Sequence, residues 1–592
     1  MKPIIKPRLV LQAFATLLAL CLVGLSLGCQ ATQRPGVYRV KYESNDRCLI
    51  MEVLDDDLVH FELAKGPPDA AANKPIYTTP MVFKTDYRGP TRLKKPGPGV
   101  VETMEMRIAV DPRTLAVTIT DITREHPIEL TTIHPGELGT DATSLAVDPK
   151  TMRCVYGLGE QFDDVGQMDG DWIEHGSRTP GCEYGNALVE YDGKGDKAGH
   201  VGNAQFPVLY ALGEAHANYA MFFDHLYAQS WGFGAKEWCL STQESAHDGL
   251  RWYVMTGPDL PDLREDYMEL VGRPPVPPKK AFGLWVSEYG FDNWAELEDH
   301  LATLRAHEFP VDGFVLDLQW FGGVKDKSPL SRMGCLDWDE KNFPEPARKV
   351  AELREKYGVG IIPIEEPFVS EGLAEFAAME DRGYLARKGP DNDAAILASW
   401  WGRGGMVDWT NPAGGDYWHD LQRMPLINVG INGHWTDLGE PERFDPAATY
   451  YGFPELNLHT HRDIHNIYNF KWSESIARGY QRNGVQRRPF ILSRSGTSGI
   501  QRFGTAMWSG DIGSRLGQLA AHMNVQMHMS FSGVDYFGAD IGGFNRDALD
   551  GDLNELYTQW FADAAAIDVP VRPHTSNVEN AHQTAPDRVG DL

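Results

Sequence analysis

The sequence predicts a multidomain protein of mixed α and β structure, in which an N-terminal β-sandwich precedes a (β/α)8 TIM barrel. Short runs of alternating apolar and polar residues fill the N-terminal part, as in a sandwich. After a proline-rich stretch, RPPVPPKK at 273–280, apolar runs alternate with helical segments, as in βα repeats. A length of 592 residues is enough for two to four domains.

Composition narrows the classes of partner. The net charge is −28, so the chain would repel nucleic acid, whose binding depends on basic side chains. This charge would not affect the binding of a neutral sugar polymer. Sixteen tryptophans are many, and carbohydrate sites use aromatic platforms, although tryptophan also fills ordinary cores.

Residues 1–29 are predicted to be a secretory signal peptide. Lys2, Lys6 and Arg8 precede an apolar run that ends in LSLGC. The sequence LSLGC is close to a bacterial lipoprotein cleavage box, in which Cys29 would be the lipidated residue. We therefore expect an exported protein, anchored by lipid in the periplasm or on the cell surface. An uncleaved membrane anchor is the alternative.

Five cysteines follow Cys29, namely Cys48, Cys154, Cys182, Cys239 and Cys335. None forms a C-x-x-C pair, so a structural zinc site is not expected. We expect free thiols, with one disulfide among the first four as the alternative. His459, His461 and His465 lie in HTHRDIH, which we interpret as a helix start rather than a metal site.

The sandwich is predicted over residues 30–272, and its strands include GVYRVKYES, RCLIMEVLDDDLVHFELA, TMEMRIAVD and LAVTITD. Residues 273–280 form the linker, because prolines end regular elements. The barrel is predicted over 281–592. Its strands are expected in the following segments: 281–287, 313–321, 359–369, the stretch leading to Asp437, 487–496, 505–511, 534–544 and 565–574. Helices are expected at 294–308 and 343–358 between the first three.

Two of these predicted strands are followed closely by an aspartate. VGINGHWTDLGEP at 429–441 places Asp437 at the C-terminal end of a short apolar run bounded by glycine and proline. TAMWSGDIG at 505–513 places Asp511 in the same way. Catalytic side chains of TIM barrels lie at the rim formed by the C-terminal ends of the strands. Glycoside hydrolysis needs at least two carboxyl groups there.

These segments resemble glycoside hydrolase family 31. HWTDLGEP is similar to its nucleophile segment, and SRSGTSGIQRFGTAMWSGD at 493–511 is similar to its acid/base segment. DYFGADIGGF at 535–544 and VYGLGEQF at 155–162 are similar to further segments. The resemblance implies a retaining α-glycosidase with a covalent glycosyl-aspartate intermediate. Asp437 would be the nucleophile and Asp511 the acid/base, with no cofactor or metal.

The resemblance also implies roles for other residues. Asp317 would bind sugar hydroxyls, Arg502 would bind the sugar and orient the carboxylates, and His574 would donate to a hydroxyl. Asp540 would hold the site in place or contact the sugar directly, Glu440 would orient neighbouring groups, and Glu366 stands where the family often has an aspartate. Four strand-end tryptophans could stack on sugar faces or pack the rim: Trp285, Trp320, Trp435 and Trp508.

The resemblance further implies a loop from the sandwich over the active site, for which 181–200 is the candidate. It also implies a closing helix and further β-domains after the barrel, so we expect the barrel to be incomplete at its C-terminus. The expected substrates are α-linked glucosides of oligosaccharides. α-Xylosidase, α-galactosidase, transglucosylase and lyase activities are alternatives, as is a non-catalytic glycan-binding lipoprotein. Trp435 favours glucose, whereas the LGE after Asp437 is closer to a xylosidase-type FGE.

Overall fold

The computed structural model describes residues 36–65, 78–138, 142–162, 183–184, 200–234, 236–243, 249–323 and 331–578. The predicted signal peptide with Cys29, Cys182, nearly all of the 181–200 loop and residues 579–592 lie outside this part of the chain. Within it, no helix combines the length and the apolar character that crossing a bilayer requires.

Two antiparallel sheets form the N-terminal β-sandwich. The first sheet has seven strands, in spatial order Tyr38–Ser44, Arg47–Val53, Leu58–Lys65, Gly249–Gly257, Asn218–Phe223, His200–Gly213 and Met152–Phe162. The second has nine, in the order Glu183–Tyr184, Gln229–Phe233, Trp238–Gln243, Ala142–Asp148, Ile128–Leu138, Val117–Asp121, Met106–Val110, Val100–Glu102 and Lys94–Gly97. Alternate side chains of each strand enter a shared core that includes Phe61, Ile108 and Trp252.

Seven parallel strands form the barrel wall: Leu284–Glu288, Val311–Leu316, Gly360–Glu365, His434–Thr436, Ile491–Ser493, Thr505–Trp508 and Phe537–Gly538. The stretch around 571–576 completes the ring. The Trp285 N–H donates to the Val571 carbonyl at 2.9 Å, and the Ile541 N–H donates to the Arg572 carbonyl at 3.0 Å. The predicted fold class, a β-sandwich followed by a TIM barrel, is therefore confirmed.

Helices cover the barrel: Trp294–Ala306, Pro346–Tyr357, Ala374–Arg382, Pro412–Trp418, Met424–Val429, His461–Ile464, Tyr468–Arg482, Leu516–Phe531 and Leu553–Ile567. The helix Trp294–Ala306 begins at Asn293, whose side chain accepts from the Glu296 N–H. Its Leu297, Leu301 and Leu304 are buried against the strands, as their spacing predicts. A further helix, Leu260–Val271, connects the sandwich to the barrel.

Several predicted barrel strands are shorter than the apolar runs suggested. Residues up to Val429 form a helix, and Gly430 at φ 109° ends it before the strand His434–Thr436. Residues Leu318–Phe321 form a 3-10 helix that Asp317 caps, and residues up to Ile567 are helical rather than extended. Apolar runs of this length do not distinguish a buried strand from a buried helix.

The chain between the third and fourth barrel strands adds two small sheets. One contains Phe368–Ser370, Leu397–Ser399 and Gly402–Met406. The other combines Arg387–Lys388 and Asp393–Ala394 with Thr449–Phe453 and Leu458–Thr460, which follow the fourth strand. The helix predicted to start in HTHRDIH does so, with Thr460 and Asp463 forming a capping box. Cys48, Cys239 and Cys335 are free thiols.

Candidate active site

Asp437 and Asp511 line the same pocket, at the C-terminal ends of the barrel strands. Its cavity volume is about 390 Å³, which is typical of small-molecule sites. Further carboxyl and aromatic side chains line it, together with one arginine, one histidine and one asparagine: Asn203, Tyr289, Asp317, Glu366, Trp400, Trp435, Glu442, Arg494, Trp508, Phe544 and His574. Among the described residues, five carboxyl groups therefore line the pocket.

Asp437 directly follows the fourth barrel strand, and its backbone N–H donates to the Glu365 carbonyl at 3.3 Å. Burial raises the pKa of its carboxyl to about 7; Arg494 lowers this pKa, whereas Asp511 and Glu440 raise it. Arg494 Nε lies 3.2 Å from Asp437 Oδ1. The single Nε–H points at Glu440, so Asp437 Oδ1 receives no hydrogen bond from the described residues.

Arg494 directly follows the fifth barrel strand and is the one Lys or Arg side chain among the described residues that line the pocket. Its Nε donates to Glu440 Oε1 at 2.5 Å and its Nη2 donates to Glu440 Oε2 at 3.0 Å. Burial opposes the charge of Arg494, but Asp437 and Glu440 hold the pKa of its guanidinium well above the usual range. The predicted supporting role of Glu440 corresponds to this fork, since its carboxylate fixes both guanidinium nitrogens.

Asp317 and His574 face each other across the pocket floor, with His574 Nε2 3.7 Å from Asp317 Oδ2. His574 Nδ1 hydrogen-bonds Ser287 Oγ at 2.8 Å, which orients the ring. Burial, with help from Arg572, lowers the pKa of His574 well below its usual value, so the imidazole is neutral. Burial raises the pKa of Asp317 well above its usual value, and Asp437 and Asp511 raise it further. Both groups can hydrogen-bond uncharged hydroxyls.

Trp435 and Trp508 form one wall of the pocket, with their rings 5.8 Å apart and nearly perpendicular. The Arg572 guanidinium lies over both rings, at 5.2 and 5.1 Å. Arg572 also forms a buried ion pair with Asp540, which does not line the pocket. Among the described residues, the indole N–H groups of both tryptophans have no hydrogen-bond partner. Asp540 thus supports the wall through Arg572.

Glu366 lies where the sequence placed it, in the pocket and buried. Burial raises the pKa of its carboxyl well above the usual value, and its Oε2 has no hydrogen-bond partner among the described residues. Sequence reasoning missed Trp400 and Glu442 at the pocket rim. The Trp400 indole N–H lies 3.3 and 3.4 Å from the two Glu442 oxygens. Trp400 sits on the turn of a small sheet, far from any barrel-strand motif.

Three candidate substrate-binding residues lie away from the pocket: Arg502, for which sugar contact was predicted, and Trp285 and Trp320, for which packing was the alternative. Arg502 donates to the backbone carbonyls of Pro80, Met81 and Val271, because it sits on a 3-10 helix facing the sandwich. Trp285 donates to the Lys280 carbonyl, and Trp320 donates to the Ile364 carbonyl. Neither tryptophan lines the pocket, since both rings are buried in the packing of the barrel.

In the part of the chain that the structure describes, two groups outside the pocket have the side-chain types that bind metal ions. Glu288, Glu296 and His300 form one group, and Cys335, Asp337 and Glu375 form the other. In each, the candidate ligand atoms lie within 4.8 Å of one another. Neither group contributes a residue to the pocket, so the carboxyl chemistry of the pocket is separate from them.

Similarity to known proteins identifies the family of this chain. The TIM-barrel domain of glycosyl hydrolases family 31 matches residues 274–591, which is more than half of the chain. The chain belongs to glycoside hydrolase family 31. The family's barrel therefore includes both carboxylates, Arg494 and His574.

Family 31 relatives differ in the sugars that their names give. Alpha-glucosidase 2 of Bacillus thermoamyloliquefaciens is 30% identical over 360 residues, covering 59% of this chain and 42% of that protein. Alpha-xylosidase XylQ of Lactiplantibacillus pentosus is 24% identical over 425 residues, covering 70% and 50%. A Flavobacterium johnsoniae family 31 dextranase, solved with isomaltotriose, aligns with a TM-score of 0.76 at 20% identity, covering 94% of this chain and 67% of that one. The chain thus spans half or less of these two curated relatives.

One signal in this family 31 sequence could have identified Arg494. Like Asp437, it comes directly after a short apolar barrel strand, Ile491–Ser493, so its side chain starts at the catalytic rim. Arg502 follows that strand by nine residues, after a turn. Position relative to the strand end is therefore a better guide than the residue type within a motif.

Proposed function

We propose that this chain is a retaining α-glycosidase that hydrolyses α-linked glucosides of oligosaccharides. The observation that carries the proposal is the placement of Asp437 and Asp511 in one pocket, with Arg494 beside Asp437. Two carboxyl groups on opposite sides of a glycosidic bond are sufficient for double displacement. Family membership supports the same chemistry.

In the first step, the Asp437 carboxylate attacks the anomeric carbon while the Asp511 carboxyl group gives its proton to the leaving oxygen. The result is a glycosyl ester on Asp437 and a free alcohol. In the second step, Asp511 takes a proton from water, the water oxygen attacks the same carbon, and Asp437 leaves as a carboxylate. Two inversions give overall retention. Arg494 favours the ionised form of Asp437 that both steps need.

The remaining lining suits a neutral sugar. Asp317 and the neutral His574 offer hydrogen bonds to hydroxyl groups, and the unpartnered indole N–H groups of Trp435 and Trp508 offer two further donors. An anionic sugar is disfavoured, because its charge would lie beside the ionised Asp437 that attacks the anomeric carbon, and like charges repel at close range. Trp435 favours a glucoside; an α-xyloside or an α-galactoside is the alternative substrate. A sugar hydroxyl in place of water would make the same site a transglucosylase.

The test is release of 4-nitrophenol from the α-glucoside, the α-xyloside and the α-galactoside, with the product anomer read by proton NMR. We expect α-glucose to appear first from the α-glucoside. An initial β-product would exclude retention. Binding of the sugars without any turnover would favour the non-catalytic glycan-binding alternative.

Variants assign the two carboxylates. Asp437→Ala should abolish turnover and leave sugar binding intact, and unchanged turnover would remove Asp437 from the nucleophile role. Asp511→Ala should keep slow turnover of substrates with good leaving groups, since these need no protonation. Added azide should then yield the α-glycosyl azide.

We also propose that the protein is exported and lipidated at Cys29. The basic start, the apolar run and the LSLGC sequence support this proposal. Labelling with a palmitate analogue in a bacterial host should mark the wild-type chain. A Cys29→Ala chain should remain unlabelled, and equal labelling of both chains would contradict the proposal.

A further inference from the structure

A residue of the β-sandwich belongs to the charged network of the barrel pocket. Asn203 lies in the sandwich strand His200–Gly213, yet it is only 1% exposed and lines the pocket. Its side-chain Nδ2 donates to Glu440 Oε1 at 2.8 Å. Asn203 therefore connects the N-terminal half of the chain to the carboxylate that holds Arg494.

The backbone of Asn203 is held on both sides. Its N–H donates to Glu160 Oε2 at 2.7 Å, and its carbonyl accepts from Ser495 Oγ at 2.8 Å. The preceding residue is Gly202, where a Cβ would collide with the Glu160 carboxylate. Because Ser495 follows Arg494 directly, the same barrel segment fixes both Asn203 and the guanidinium.

The contacts continue from Glu440 to Asp437. Glu440 accepts two hydrogen bonds from Arg494, whose Nε also lies 3.2 Å from Asp437 Oδ1. Nε carries a single hydrogen, so it cannot donate fully to both carboxylates. The position of Glu440 therefore decides how Arg494 sits against Asp437. Asn203, Glu440 and Arg494 are all buried, so water cannot replace a lost contact cheaply.

We propose that Asn203 is a positioning residue: its side-chain amide fixes Glu440, and Glu440 in turn holds Arg494 against the nucleophile Asp437. The inference rests on the proposed function, which assigns the nucleophile role to Asp437. A competing role is direct contact with the sugar, because Asn203 Oδ1 has no hydrogen-bond partner among the described residues.

Asn203→Ala removes the positive end of an amide dipole from Glu440 Oε1. The Glu440 charge then acts more strongly on Asp437 and draws the guanidinium towards itself, and both effects raise the pKa of Asp437. We expect a rise of about half to one unit. The other charged groups that act on Asp437 or feel its charge remain unchanged: Asp317, Glu366, Asp511 and Arg572.

The first experiment measures kcat and KM across pH for wild type, Asn203→Ala and Asn466→Ala. Asn466 is a matched control, because its buried amide also joins barrel and sandwich, donating to the Leu226 carbonyl at 2.8 Å. We expect the acid limb of kcat/KM to move up by about half to one pH unit in Asn203→Ala alone. The proposal is overturned if the acid limb of the pH profile stays at the wild-type pH. In that case, a loss of kcat that is equal at all pH values would mean that Asn203 has a structural role. A raised KM would mean that Asn203 contacts the sugar.

The second experiment does not need turnover. Carbon-13 NMR of protein labelled at aspartate follows the titration of Asp437, whose resonance is identified by its loss in Asp437→Asn. Asn203→Ala should titrate at higher pH than wild type, and equal titration overturns the proposal. Asn203→Ser, which is too short to reach Glu440, tests the same contact if the alanine variant does not fold. If the wild-type protein shows no turnover, the proposed function is refuted. The NMR titration would then still decide whether Asn203 affects the pKa of Asp437.

Discussion

Replacing Arg494 by methionine tests how the site keeps its nucleophile ionised. Arg494 Nε lies 3.2 Å from Asp437 Oδ1; the Arg494 side chain is buried and the Asp437 side chain is 15% exposed. Burial raises the pKa of Asp437 to about 7 although Arg494 lowers it. An opposite charge nearby lowers the pKa of a carboxyl group by about 1–3 units. Without the guanidinium, we therefore expect the pKa of Asp437 to rise by about 2 units, to about 9.

The expected loss of activity follows from the ionised fraction. A carboxyl group with a pKa of about 7 is about half ionised at pH 7, whereas one with a pKa of about 9 is about 1% ionised. We therefore expect kcat/KM at pH 7 to fall about 50-fold, and the acid limb to move up by about 2 pH units. Arg494→Lys keeps the charge and loses the fork to Glu440, so its loss should be smaller.

The assay is hydrolysis of 4-nitrophenyl α-glucoside from about pH 5 to about pH 10. Circular dichroism and thermal melting confirm that each variant is folded. Arg502→Met is the matched control, since Arg502 is also largely buried but, among the described residues, donates to three backbone carbonyls away from the pocket. A folded Arg494→Met enzyme whose acid limb stays at the wild-type pH would refute the reasoning.

Three further outcomes are expected. Burial raises the pKa of Asp437 from 3.8 to about 7, so its protonated form stabilises the fold below pH 3.8 and that stability is lost as pH rises through 7. Asp437→Asn should therefore leave the free energy of unfolding nearly unchanged at low pH. At about pH 8 it should raise that free energy by up to about 4 kcal/mol. A variant that is also more stable than wild type at low pH would contradict this. Arg502→Ala should lower the melting temperature with KM within about twofold of wild type, because it loses three carbonyl contacts; a large rise in KM would restore Arg502 to the site. Glu365 accepts from the Arg423 Nε–H, and both side chains are buried. Glu365→Ala should cost about 3–5 kcal/mol of unfolding free energy, measured in urea, because it leaves the buried Arg423 charge without this carboxylate. Val350→Ala, a purely apolar truncation, should cost less.

The positions of the two catalytic aspartates were predictable, because each follows the end of a barrel strand within a few residues. Asp437 follows a three-residue strand directly, and Asp511 follows a strand by three residues. The ends of parallel barrel strands all meet at one rim, so both carboxylates had to lie near each other. Asp317 and His574 were predicted from the family resemblance, and the structure places both of them in the same pocket. Arg502 was placed wrongly because the turn and 3-10 helix after the fifth strand carry it back towards the sandwich.

Aromatic side chains were less predictable, because a strand-end tryptophan can face the pocket or the barrel packing. Trp435 and Trp508 line the pocket, whereas Trp285 packs where Gly313 and Gly360 leave room for its ring. A sequence gives the residue type, but the direction of the side chain depends on which neighbours are small. Trp400 could not be found, since it reaches the rim from a sheet inserted between two barrel strands.

The sequence by itself determined the fold class, the order of the barrel strands and the two rim carboxylates, because periodicity and strand ends are local properties of the chain. Tertiary structure alone decided the charge network that surrounds them. Asn203 and Arg494 are almost 300 residues apart in sequence, yet both contact Glu440. Contacts between distant residues depend on how the sandwich packs on the barrel, and no local pattern encodes that packing.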